Sequence, residues 1–184
     1  MHTGGSETDF IELEDGTLLA VVRKEGPDGG FGSDIARSVH SRDALGLATW
    51  RLRPDERKFD SPCLFLDEHQ PYLITRRQVA FAGRFDLGWP IVSPTTRTKL
   101  NQLVYWLTPK RTSVYRIDPE TLATTWLADL PSAGDTAFAA SVPLGSHRHL
   151  VFNYSSPLNR GWLPWLAGQL GRTHIYRTTI SVLD

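Results

Sequence analysis

The sequence contains a single cysteine, Cys63, and this scarcity excludes two kinds of architecture. One thiol cannot form a disulfide within the chain, and it cannot supply the several cysteines of a cysteine-based zinc site. The formal net charge is zero, because 20 Lys and Arg residues balance 20 Asp and Glu residues. A neutral chain argues against binding to nucleic acid or to an anionic membrane surface, since both require an excess of positive charge.

Long apolar runs are also missing. The nearest candidate, GWLPWLAGQL, is much shorter than the ~20 residues of a membrane span, and it contains Pro164. The first residues form neither the basic segment nor the apolar segment of a secretion signal, which predicts a cytoplasmic protein, with a fragment of a secreted precursor as the alternative. Six Trp and eight Phe in a chain of 184 residues nevertheless indicate a folded protein with a substantial core.

No metal or cofactor site is recognisable. Of the six histidines, only His147 and His149 lie close together, on a predicted turn. The glycine-rich segment EGPDGGFG is not followed by a predicted helix, as a phosphate-binding loop would be. We therefore expect neither a metal nor a cofactor.

The residues that are present favour β-structure. Short apolar segments rich in β-branched and aromatic residues alternate with turn sequences such as DG, PDE, DPET and GSHR. Clear helical periodicity is absent, so any helix is expected to be limited to a turn or two. The sequence therefore predicts an all-β protein.

An internal repeat narrows the fold further. An aromatic residue followed by arginine occurs at Trp50-Arg51, Tyr115-Arg116 and Tyr176-Arg177, at intervals of 65 and 61 residues. A turn and an apolar strand precede each pair. Units of four antiparallel strands with such a period are typical of β-propeller blades. We predict one partial propeller domain of about three four-stranded blades, at approximately 7–60, 61–130 and 131–184; a β-sandwich or meander without symmetry is the alternative.

Three blades would form half of a six-bladed ring, since closed propellers need roughly four to eight blades. The two end blades would then expose faces that are built to be covered. This predicts either pairing with a second copy or another chain, or a missing N-terminal half.

Three segments resemble the C-terminal half of the six-bladed sialidase (neuraminidase)-like propellers. ETDFIELEDGTLLAVVR is similar to the sialidase segment that carries a catalytic glutamate and then an arginine at a strand end. YWLTPKRTSVYRIDPETLATTW resembles the segment that supplies a further arginine, followed by a degraded Asp-box turn. PSAGDTAFAASV and LVFNYSS resemble the last catalytic segment, which carries the nucleophilic tyrosine.

The resemblance implies arginines that bind the carboxylate of a sialic acid, because guanidinium groups match carboxylate oxygens and stay charged. Arg23 and Arg111 match sialidase arginines, and Arg76 and Arg77 end the strand that corresponds to the Arg23 strand in the second unit. Strand alternation sends one of the latter pair to each face. A solvated strand end or a salt bridge between blades is the structural alternative for each.

The same resemblance implies three catalytic candidates. Glu7 matches the glutamate that activates the nucleophile, but the nucleophilic tyrosine itself is replaced by Phe138, which has no oxygen. Tyr154 is the nearest phenol, and Asp135 is a substitute carboxylate that could act with Glu7. Ordinary surface exposure for Glu7 and turn capping for Asp135 are the alternatives. The acid/base aspartate and one further arginine of sialidases belong to the N-terminal half.

Two functions follow as expectations. The first is a sialidase-like protein, related to glycoside hydrolases, that binds or acts on acidic sugars; if active, it would be an exo-glycosidase. The second is a non-catalytic carbohydrate-binding or assembly module that completes a propeller with a partner chain, which Phe138 and the incomplete ring favour.

Overall fold

The structure, a computed structural model, describes residues 5–25, 31–39 and 49–182 and consists mainly of three antiparallel sheets. The first sheet comprises β1 (Gly5–Glu12), β2 (Leu18–Glu25), β3 (Phe31–Ser38) and β4 (Trp50–Asp55). The second sheet comprises β5 (Asp60–Asp67), β6 (Gln70–Gln78), β7 (Lys110–Ile117) and β8 (Thr124–Asp129). The third sheet comprises β9 (Thr136–Gly145), β10 (Arg148–Ser155) and β11 (His174–Ser181).

In every sheet, strands that are consecutive in the chain are also neighbours, which is the up-and-down order of a propeller blade. The all-β prediction and the propeller-blade architecture are therefore confirmed. One detail differs, because the described part of the third sheet has three strands instead of four.

The expectation of no helix longer than a turn or two was wrong. Helix α1 (Pro94–Leu107) has 14 residues and joins β6 to β7. Ser93 caps it by accepting a hydrogen bond from the backbone N–H of Thr96, and Pro94 suits the first turn. Only Asn101 and Tyr105 are buried, so the buried stripe is a polar residue followed four positions later by an aromatic one. Such a stripe gives almost no hydrophobic periodicity. A shorter helix, α2 (Trp165–Gln169), joins β10 to β11.

Two separate cores hold the sheets together. The first sheet packs on the second through a cluster that includes Leu19, Ile35, Phe59 and Leu73. The second packs on the third through a cluster that includes Phe65, Ile74 and Val151. Both faces of the second sheet are therefore buried, and the adjacent residues Leu73 and Ile74 of β6 face opposite cores.

The innermost strands are β1, β5 and β9, since β1 packs against β5 and β5 against β9. Each has a register shift near its first residues, at 5–8, 60–63 and 137–140. Such β-bulges are common next to active sites. Arg23, which was expected at a strand end, lies near the end of β2, the second strand of the first sheet and not an innermost one.

The aromatic-arginine repeat also needs a correction. Tyr115-Arg116 and Tyr176-Arg177 lie on the third strands of their sheets, β7 and β11. Trp50-Arg51 lies on β4, the fourth strand of the first sheet. Two of the three copies are therefore equivalent, and the third lies one strand later.

Among the described residues, no helix has the length and apolar character required to cross a membrane.

Candidate functional site

The centre of the candidate site is Asp60, the first residue of β5, whose side chain is 1% exposed. Its Oδ1 lies 3.0 Å from the Arg23 guanidinium and 3.5 Å from Lys58 Nζ. Its Oδ2 lies 3.6 Å from the Arg76 guanidinium. Three cations thus surround one buried carboxylate, which satisfies the requirement that a buried charge be paired.

Helix α1 completes this arrangement with Tyr105, which is 2% exposed. The Tyr105 hydroxyl donates a hydrogen bond to Oδ2 of Asp60. The Tyr105 ring has Lys58 Nζ 4.5 Å from its centroid and Lys110 Nζ 3.9 Å from it, which places two ammonium groups against one aromatic ring. We call Asp60, Arg23, Lys58, Arg76 and Tyr105 the Asp60 cluster.

Lys110 lies beside this cluster and is fully buried. Its ammonium donates to the carbonyl oxygen of Tyr105 and, at 2.9 and 2.8 Å, to the carbonyl and hydroxyl oxygens of Thr108. Burial lowers the pKa of Lys110 to about 7, and the positive charges of Arg76 and Lys58 act in the same direction. Lys110 therefore fixes the end of α1 instead of adding an accessible cation.

Glu7 meets Arg23 at the bulge of β1. Oε2 of Glu7 lies 2.9 Å from the Arg23 guanidinium and accepts a 2.5 Å hydrogen bond from the backbone N–H of Ser61. Its side chain is 34% exposed, against 14% for Arg23. Glu7 is thus a partly accessible carboxylate of this region, as is Glu25, which lies 3.2 Å from Arg23 and 3.0 Å from Lys58. The contact of Glu7 with Ser61 ties the first sheet to the second.

Asp135 and Tyr154 meet Arg76 on the other side of the Asp60 cluster. The Tyr154 hydroxyl donates to Oδ1 of Asp135 at 2.9 Å and accepts from the Arg76 guanidinium at 3.3 Å. Arg76 also lies 3.7 Å from Asp135 and donates to the carbonyl oxygen of Thr136 at 2.6 Å. Burial raises the pKa of Tyr154 to about 12, and Asp135 adds to this effect. Tyr154 is therefore a neutral phenol at physiological pH.

Helix α2 lies directly over the Asp135 backbone. A Cβ on Gly168 would come within 2.2 Å of the Asp135 nitrogen, so only glycine permits this contact. Trp165 of α2 covers Arg76, with the guanidinium carbon 5.5 Å from the ring centroid. The Arg76 side chain is only 8% exposed as a result.

The structure brings together two of the four predicted substrate-binding arginines and separates the others. Arg23 and Arg76 share Asp60. Arg77 points to the opposite face of β6, where it forms a two-pronged ion pair with Asp129 of β8 and lies over Trp126.

Arg111 is also outside this group. It lies opposite Arg77 in the strand register, and its guanidinium donates to the carbonyl oxygen of Lys110. Among the described residues, neither the Arg77 side chain nor the Arg111 side chain forms a hydrogen bond or ion pair with the Asp60 cluster.

Phe138 is located at the bulge of β9, beside the Asp135–Tyr154 pair. Its ring is 64% exposed and lies 5.9 Å from the Tyr154 ring, with 26° between the two planes. Its backbone has φ of 46°, in the left-handed region that a bulky residue rarely adopts.

Sequence reasoning missed Asp60, Lys58 and Tyr105. Lys58 and Asp60 lie in the connection KFDSP, where charged residues ordinarily indicate an exposed turn. Tyr105 was missed because α1, the helix that carries it, was not predicted. Asp60 starts the inner strand β5 much as Glu7 lies near the start of β1, a correspondence that the predicted blade boundary between 60 and 61 did not reveal. No group of three or more His, Cys, Asp or Glu side chains in the described ranges is arranged to hold a metal ion.

Comparison with known proteins identifies the fold but no family. The sequence matches no protein-family profile and no curated protein. Among solved structures, the fold is similar to an α-L-arabinanase from Penicillium chrysogenum complexed with arabinobiose, at a TM-score of 0.57 and 11% identity. That match covers 98% of this chain and 47% of the arabinanase.

A GH93 α-L-arabinofuranosidase from Fusarium graminearum, also in complex with arabinobiose, has a TM-score of 0.55 and 10% identity. It is matched over 97% of this chain and 45% of its own length. This chain thus spans about half the length of these β-propeller glycoside hydrolases. At such identities the likeness shows the fold, and it does not establish the sialidase-specific part of the resemblance.

Proposed function

We propose that this chain carries the sugar-binding site of a glycoside-hydrolase-related propeller, at the bulged ends of its inner strands. The observation that carries the proposal is a continuous chain of ion pairs across the three sheets. Glu7 pairs with Arg23 at 2.9 Å, Arg23 with Asp60 at 3.0 Å, Asp60 with Arg76 at 3.6 Å, and Arg76 with Asp135 at 3.7 Å. Glycoside hydrolysis commonly uses two carboxyl groups that flank one bond. The series of ion pairs has a carboxyl group at each end, Glu7 at one and Asp135 at the other.

Within this proposal the two carboxyl groups have different roles. Glu7 is ion-paired and the more exposed, which suits a base or nucleophile. Asp135, the more buried carboxyl group, would act on the other side of the bond, and Tyr154 would orient it through the 2.9 Å hydrogen bond. A phenol whose pKa is raised to about 12 is a poor nucleophile at neutral pH, so we assign Tyr154 a positioning role.

The charge balance favours a neutral sugar over an acidic one. The Arg23 guanidinium already contacts carboxylates of Glu7, Asp60 and Glu25. Arg76 is similarly paired and buried. An acidic sugar would have to displace one of these carboxylates at the cost of leaving it unpaired. The similar arabinanase and arabinofuranosidase were solved with arabinobiose, a neutral sugar.

A sialic acid is the second candidate ligand, because Arg23 and Arg76 converge on one point and guanidinium pairs suit a carboxylate.

The test compares arabinobiose with sialyllactose by isothermal titration calorimetry, and the hydrolysis of the corresponding chromogenic glycosides. We expect arabinobiose to bind more tightly. If the chain is active, Glu7→Gln should reduce turnover by at least about a hundredfold, the usual contribution of an acid–base group.

The matched control is Glu14→Gln, because Glu14 is an exposed acid in the β1–β2 turn that contacts His69 instead. It should leave turnover unchanged. Exclusive binding of sialyllactose would support the second candidate, and binding of neither sugar would refute the sugar-binding proposal.

A non-catalytic assembly module is a second candidate function. The third sheet exposes the apolar side chains of Val142, Leu144 and Ile175, by 47%, 51% and 73%. If a second copy or another chain covered this exposed face, it would complete the ring. Sedimentation equilibrium distinguishes the outcomes, since a monomer at micromolar concentration would argue against pairing with itself.

A further inference from the structure

We propose that Phe138 is the stacking platform on which the sugar ring of a neutral glycan lies, and that it determines the preference for an uncharged ligand. This inference rests on the proposed function and adds to it a specific residue and a class of ligand. The contact would be made by the apolar C–H face of a furanose or pyranose ring, since an aromatic face offers no partner for a sugar carboxylate.

The first observation is the exposure of the ring immediately after a buried stretch of the strand. Phe138 lies on an innermost strand, yet 64% of it is exposed. Thr136 and Ala137, the two residues before it on β9, are buried. The buried part of β9 therefore ends at the bulge, where the strand presents an aromatic face to solvent, and the later residues Val142 and Leu144 are exposed as well.

The second observation is the backbone conformation. A phenylalanine with φ of 46° is strained, and such strain persists where the surrounding structure holds it for a purpose. Ser61 occupies the corresponding bulge of β5 with φ of 49°. Ser61 uses that conformation to donate its backbone N–H to Glu7, so the bulge itself does not require an aromatic side chain.

The third observation is what lies beneath the ring. Phe138 stacks on Tyr154, and the Tyr154 hydroxyl is bound to Asp135 and Arg76. The platform is thereby fixed in orientation and joined to the carboxyl group that would act on the sugar.

The test measures the affinity for arabinobiose and the urea midpoint of unfolding. Replacing a merely structural residue would lower both. In Phe138→Gly the ring is removed and the left-handed conformation becomes relaxed. We expect affinity for arabinobiose, measured by titration calorimetry, to fall by about tenfold or more, in line with one aromatic contact. The urea midpoint of unfolding should rise in the same variant.

Phe81→Gly is the matched control, because Phe81 is 53% exposed and has φ of 54° in the turn after β6. It should raise the unfolding midpoint without changing the affinity. Phe138→Tyr keeps the ring and should retain the affinity to within about threefold.

Three results would overturn the inference. Wild-type affinity in Phe138→Gly would show that sugars do not rest on this ring, while leaving the proposed function intact. A lowered unfolding midpoint, or a changed molecular mass by sedimentation, with affinity unchanged would make Phe138 a packing or interface residue. No arabinobiose binding by the wild-type chain would refute the proposed function and this inference together.

Discussion

Asp60 is the residue on which the candidate site depends. A carboxylate with 1% exposure would be unstable on its own, and here it is held by three cations and one phenol. It fixes Arg23 and Arg76 against each other, and through them the outer carboxyl groups. Asp60 is thus the organiser of the site and is too deeply buried to contact a ligand itself.

Replacing Asp60 with Asn should be among the most damaging single changes. The substitution leaves Arg23, Lys58 and Arg76 close together without their shared counterion. We expect the free energy of unfolding to fall by about 3 to 5 kcal/mol, as for other broken buried ion pairs. Urea denaturation followed by circular dichroism measures this change.

The control for this prediction is Glu120→Gln, which removes a 75% exposed carboxylate that pairs with Arg37. It should change the free energy of unfolding by less than about 1 kcal/mol. Equal effects of the two substitutions would show that Asp60 is not a structural counterion.

At the residue scale, the sequence predicted the site in part. It indicated Glu7, Arg23, Arg76, Asp135 and Tyr154, which the structure connects through one network. It did not separate these from Arg77 and Arg111, because the sign of a charge is visible in a sequence whereas the face on which it lies depends on register. Asp60 was missed because burial of a charge in a connection has no local signature.

At the scale of elements, the two helices are the unexpected part of the fold. Helix α1 brings Tyr105 to Asp60, and α2 brings Trp165 to Arg76. The helices also meet, because the backbone N–H of Trp165 donates to the carbonyl oxygen of Thr108 just after α1. The sheets thus supply the charges of the site, and the helices cover them.

A substitution in α2 tests how tightly this cover is seated. On helix propensity alone, Gly168→Ala should stabilise the chain by roughly 0.5 to 1 kcal/mol. The close approach of Gly168 to the Asp135 backbone reverses that sign, because a Cβ would lie 2.2 Å from the Asp135 nitrogen. We expect a loss of about 1 to 3 kcal/mol in urea unfolding, typical of overpacking.

Gly171→Ala is the neighbouring control, since a Cβ there would lie 3.5 Å from the nearest atom, the carbonyl oxygen of Gly168. Its effect should stay within about 0.5 kcal/mol. A stabilising Gly168→Ala would mean that α2 does not pack against Asp135.

The aromatic-arginine repeat predicted the propeller blades correctly but placed one of its three copies on the wrong strand. Tyr115-Arg116 and Tyr176-Arg177 lie on equivalent strands, and this true repeat was enough to indicate propeller blades. Trp50-Arg51 lies one strand later and matched by coincidence of spacing. A dipeptide has no information about strand order, whereas the alternation of turns and apolar runs identified the blades.

At the scale of the whole molecule, the second sheet is shared by both cores. Leu73 and Ile74 are adjacent on β6 and both fully buried, one in each core. Loss of either neighbouring sheet would expose one apolar face of the second. The three sheets should therefore unfold as one cooperative unit.

Leu73→Ala and Ile74→Ala test this cooperativity as a pair. Each creates a cavity in one core, so each should lower the free energy of unfolding by about 2 to 5 kcal/mol. Tryptophan fluorescence and far-ultraviolet circular dichroism should report one coincident transition in both variants. Two separated transitions in Ile74→Ala alone would show that the third sheet unfolds independently.

The position of α1 has a consequence for how this protein can diversify. It lies between β6 and β7 in the chain, after the inner strands β1 and β5 that carry Glu7 and Asp60, and its Tyr105 hydroxyl is part of the cover over Asp60. A different segment in place of α1 would change the polarity of that cover and leave the strand order of the three sheets unchanged. Variation among related chains in how Asp60 and its three cations are covered should therefore concentrate in this one segment.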